Sequence, residues 1–177
     1  MGRRFGIAAL FCLASLVLLT GCLALPEGLT IHVSENGCLP DGTCPYGGKA
    51  PATFYWAPTR TIVAAPNQGK STLAHEACHA HQHEMILEDL GHEPSNVDLR
   101  DWYETAEGKS FVETTGWKST SVSGQPPTWT GSHPWSYLSN ANPIEDFANT
   151  CSRFLVDPQG LTGLDPVRSA WAQEHLQ

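Results

Sequence analysis

Apolar and polar positions alternate from Leu29 to Ser34, the period-two signature of a half-buried strand. Thr53 to Trp56 and Thr61 to Ala65 read as two further strands. After the turn Pro66-Asn67-Gln68-Gly69 the spacing becomes helical. Ser71 or Thr72 is placed to cap a helix whose body runs from Leu73 to about Leu87 or Leu90, with Gly91 as its stop. Asp98 to Glu107 predicts a second, partly amphipathic helix halted at Gly108, and Phe111 to Trp117 a strand. Residues 119–136 are rich in Ser, Thr, Gly, Pro and Trp; they predict an ordered loop, because Trp129 and Trp135 call for burial. Asn142-Pro143 opens a helix to about Leu155, with proline at the tolerated first position, and Asp165-Pro166 opens a last one. Strands come first and helices after, which argues an α+β domain with a small mixed or antiparallel sheet.

The start of the chain changes the accounting. Arg3 and Arg4 precede an apolar run from Ile7 to Leu19, a pattern too short for a membrane span and suited to an export signal over residues 1–21. Removing it leaves 156 residues with 8 basic and 18 acidic side chains. That length suits one domain, and the acidic balance excludes the electrostatic footprint of a nucleic-acid binder. The junction Leu19-Thr20-Gly21-Cys22 resembles the lipobox of bacterial lipoproteins. The resemblance implies lipid on Cys22, a tether over 22–28, a folded domain over 29–177, and an anchor on the extracytoplasmic face of the bacterial cell envelope. Cys38, Cys44, Cys78 and Cys151 then remain, enough for two disulfides with three possible connectivities. The turn-rich segment Gly37 to Cys44 can close on itself, which by elimination pairs Cys78 with Cys151.

His75-Glu76-Ala77-Cys78-His79 carries the chemistry. Histidines four apart on a helix lie on one face, one turn apart, so two imidazoles can converge on one metal ion. Glu76 is then placed to accept a proton from water activated there. A hydrolytic zinc site needs a third protein ligand. The position six residues after His79 is Met85, which excludes the three-histidine pattern. His81 faces away, and His83 lies a full turn on, about 6 Å along the axis; both are expected to be solvated or helix-terminal.

Glu145 is the better candidate. Together with the first motif, Glu145-Asp146-Phe147-Ala148-Asn149 resembles the gluzincin-type zinc metallopeptidases, nearest to the lethal-factor-like branch, whose second motif reads Glu-x-Phe-Ala-Glu. The resemblance covers the two motif helices. It implies a zincin-like fold, one zinc per chain held by His75, His79 and Glu145, and Glu76 as general base. Asn149 stands where the family has an acidic residue, and a neutral amide there supports a liganding imidazole less strongly. Glu145 also has a structural use open to it, closing a capping box with Asn142. Asp146 points about 100° away and is expected to take no part. For the developing oxyanion, relatives use a Tyr or His shortly before the glutamate helix; Tyr137 is the choice here, with His133 in the same window. A Cys78–Cys151 bridge would keep a thiol away from the metal and staple the two motif helices.

One rival motif exists. Ala64 to Ser71 approaches a phosphate-binding loop, but the export signal and the zinc motif on the same helix oppose a nucleotide partner. The expectation is therefore a lipid-anchored zinc peptidase acting on peptide or protein substrates, with strand Thr61–Ala65 as an edge for an extended substrate. The alternative is a lipoprotein that binds zinc without turnover.

Overall fold

The computed structural model describes residues 26–95, 98–120, 128–134 and 142–176. The signal, the lipobox with Cys22, and Tyr137 lie outside the described residues. The fold is α+β. Strands β1 (Thr30–Val33), β2 (Phe54–Trp56) and β3 (Thr61–Ala64) form a sheet in the order β1-β3-β2. β1 runs parallel to β3 and β2 antiparallel to it, with Tyr55 opposite Ile62. β3 is therefore the middle strand, buried along its whole length. Its hydrogen bonds are spent on both neighbours, so it offers no edge to a substrate; β2 is the edge on the cleft side.

Helix α1 (Lys70–Leu90) follows directly. It begins two or three residues earlier than the polar residues suggested: Gly69 is its N-cap with no side-chain cap, and Gly91, at φ +70°, ends it. A short 3-10 turn (Arg100–Glu104) leads into α2 (Ala106–Thr115), which occupies the place of the expected strand. Thr105 caps α2 by accepting the N–H of Gly108. Gly108 does not stop a helix; a Cβ there would stand 2.0 Å from the Trp102 carbonyl, so only glycine lets the turn pack this closely. A hairpin, β4 (Lys118–Thr120) and β5 (Thr128–Thr130), precedes α3 (Pro143–Val156), α4 (Pro158–Leu164) and α5 (Pro166–His175).

The principal helix packing is α1 on α3. Between and beside them sit Trp102, Phe111, Phe147 and Trp171, with Trp102 and Phe147 centroids 4.8 Å apart and Phe111 and Trp171 4.9 Å apart. The disulfide Cys78–Cys151 joins α1 to α3 inside this core, and Cys38–Cys44 closes the short loop after β1. Such pairing is compatible with an oxidising compartment. Among the described residues no helix is long and apolar enough to cross a membrane.

Candidate metal centre

His75 and His79 project from one face of α1, and Glu145 reaches them from the first turn of α3. Asn142 caps α3 by accepting the N–H groups of Ile144 and Glu145 at 2.9 and 3.1 Å. The Glu145 carboxylate is directed at the histidines. Its oxygens lie 3.3 Å from His75 Nε2 and 3.6 Å from His79 Nε2, and the two nitrogens are 3.1 Å apart. Two imidazole nitrogens and a carboxylate this close are held together by shared protons or by a metal ion among them. Bond lengths of 2.0–2.1 Å to a tetrahedral zinc imply ligand–ligand edges of about 3.3 Å, which the three separations bracket. The donor set, two imidazoles and one carboxylate, can hold a metal ion.

The charges of the three groups are strongly coupled. His79 is buried, which lowers its pKa, but hydrogen bonding and charge from Glu145 and Glu76 outweigh this and raise it to about 9. Burial pushes Glu145 up, and the two histidines more than reverse this, leaving it well below the usual carboxylate range. Glu76 is buried between α1 and β2, where Oε2 accepts the Tyr55 N–H at 2.8 Å. Desolvation raises its pKa against the opposing pull of His79, His75 and that N–H. A buried carboxylate with a raised pKa beside the ligands is suited to taking up a proton.

The centre forms the floor of a cleft of about 540 Å³. One wall is Thr53 with Phe54 and Tyr55 of β2, and Tyr46; the other is Leu99, Tyr103 and Trp129. Tyr103 packs at a tilt against Trp129 with centroids 4.5 Å apart, and Tyr46 meets Phe54 edge-on at 4.8 Å. Tyr46 and Tyr103 are thus phenols that the sequence reading did not single out. Burial raises both of their pKa values. His133 stacks on Trp117 and does not line the cleft.

His83 and Asp146 differ from expectation, and Gln82 adds a partner to His79. His83 is not solvated but fully buried, its Nδ1 2.7 Å from the Tyr55 hydroxyl and its Nε2 2.7 Å from Glu93. Asp146 is fully buried as well: it accepts Arg168 Nη2 at 2.6 Å and Trp117 Nε1 at 2.7 Å. Asn149 donates to the Glu145 carbonyl at 2.8 Å, while the partner found on His79 Nδ1 is Gln82, at 2.8 Å. Nothing in the sequence pattern marked Gln82 except that it is a polar residue on the face shared with His79. No known protein family, curated protein or solved structure matches the chain.

Proposed function

We propose that this chain is an extracytoplasmic zinc-dependent peptidase, tethered by lipid on Cys22. The observation that supports the reading most is the His75–His79–Glu145 triangle, with edges of 3.1, 3.3 and 3.6 Å, beside a buried carboxylate on the floor of an open cleft. Zinc held there would supply a Lewis acid and an open position for substrate. Glu76 accepts the proton of the attacking water and hands it to the leaving amine. The Tyr55 N–H holds that carboxylate still, at 2.8 Å, while the transfer occurs. An extended peptide lies along Thr53 and the Phe54–Tyr55 edge of β2, with its side chains against the aromatic walls. Tyr46, Tyr103 and Tyr137 are the phenols from which a donor to the oxyanion is drawn.

Metal analysis and a broad peptide-library assay on residues 23–177 test the proposal together. One zinc per chain and chelator-sensitive cleavage are the expected results. Stoichiometric zinc with no cleavage supports the non-catalytic metal-binding reading in its place.

A further inference from the structure

Gln82 is a fully buried amide in the middle of α1, three residues after His79. Its Nε2 donates to the Ile144 carbonyl at 3.2 Å, and its Oε1 lies 2.8 Å from His79 Nδ1. A backbone carbonyl can only accept, so the NH₂ end of the amide must face Ile144. The carbonyl end must then face the imidazole, which makes His79 Nδ1 the protonated nitrogen. In the neutral ring, the form that can bind a metal, His79 Nε2 is left with its lone pair, and Nε2 is the atom that stands 3.1 Å from His75 and 3.6 Å from Glu145.

We infer that Gln82 is the positioning residue of the metal centre: it fixes the tautomer of His79 and links that ligand to the peptide unit entering Glu145. The inference rests on the metal reading of the His75–His79–Glu145 cluster. It places an orienting group on α1, the helix that carries the ligand itself. A neutral amide raises imidazole basicity less than a carboxylate does, so the bound cation keeps more of its Lewis acidity.

Zinc affinity, measured by chelator competition on residues 23–177, is the test, because it needs no turnover. Gln82→Leu should bind zinc about 10–100-fold more weakly, the usual cost of removing such a partner. Gln82→Glu keeps an acceptor on Nδ1 and should stay within about fivefold of wild type. A merely structural role predicts the opposite, since glutamate cannot donate to Ile144. If Gln82→Leu fails to fold, Gln82→Met, which keeps the chain length and removes both polar atoms, takes its place. Nitrogen-15 spectra of the zinc-loaded wild type should show a proton on His79 Nδ1. Wild-type affinity in the leucine variant, equal weakness in the glutamate variant, or metal on Nδ1 overturns the inference alone. A wild-type chain that binds no zinc overturns the metal reading, and the inference with it.

Discussion

The backbone N–H of Tyr55 donates to Glu76 Oε2 at 2.8 Å, so the edge strand of the sheet holds one oxygen of the buried carboxylate that follows His75. Glu76→Gln keeps an acceptor for that N–H and removes no ligand. Its zinc content should equal wild type, while peptide hydrolysis falls about 10²–10⁴-fold. Stopped assays on matched zinc-loaded samples decide it; a variant as active as wild type removes Glu76 from the mechanism.

Glu145→Ala should weaken zinc binding by orders of magnitude, because it deletes one of three protein ligands. His83→Ala is the informative contrast. It takes a partner from the buried Tyr55 hydroxyl, 2.7 Å from Nδ1, whereas Glu93, 2.7 Å from Nε2, is exposed and turns to water. It should therefore cost about 1–3 kcal/mol of stability with zinc affinity unchanged. Chelator competition and urea unfolding on both variants separate the two effects.

Asp146 adjoins a proposed ligand yet belongs to the core. Removing it leaves the Arg168 guanidinium, itself buried, without its principal counter-charge. Asp146→Ala should destabilise the fold by about 3–5 kcal/mol, the range for breaking one side of a buried pair. Replacing both Asp146 and Arg168 by apolar residues should recover much of that loss, as urea midpoints will show.

Chelator-treated protein should show a defined pH dependence. His79 titrates at about 9 in the fold, above the ordinary histidine value, so it contributes stability fully present below about pH 6.5 and lost as pH rises through 9. Glu145 is depressed, so its contribution is present above the ordinary carboxylate range and fades as pH falls through its lowered value. Zinc must displace the proton on His79, so its affinity should rise over the interval in which the metal-free fold weakens. Unfolding midpoints at pH 6, 7.5 and 9, with and without zinc, check the crossing; a flat metal-free profile contradicts it.

Cys78 and Cys151 are separated by 73 positions. Replacing both by alanine should cost about 4 kcal/mol if the cross-link acts by restricting the unfolded chain. Thermal unfolding of the double variant against wild type gives the value.

What the sequence made legible were features whose physics is local. The His75–His79 spacing needs only one helix, and the Cys38–Cys44 loop only a run of turn formers. The joining of Glu145 to that helix was suggested by motif resemblance and by pairing the remaining cysteines, and the two motif helices do meet. The misreadings fall where distant packing overrides local preference. Val112, Thr114 and Thr115 favour a strand, but the Thr105 cap and burial of Phe111 against Trp102 and Trp171 make the segment helical. Gly160 and Gly163 hid α4, which the Asp157 cap and the burial of Leu161 sustain. Strand order is not written in any single strand, so the central place of β3 was invisible. His83, Asp146 and Gln82 acquire their partners from other elements, and no spacing rule announces that.

The covalent route between the two halves of the metal cluster runs through Cys78–Cys151 as well as along the backbone. Any proteolytic cut between residues 79 and 145 opens the polypeptide without dividing the molecule. If the proposed ligands are right, the fragment bearing His75 and the fragment bearing Glu145 stay in one piece. The damage becomes visible only on a reducing gel.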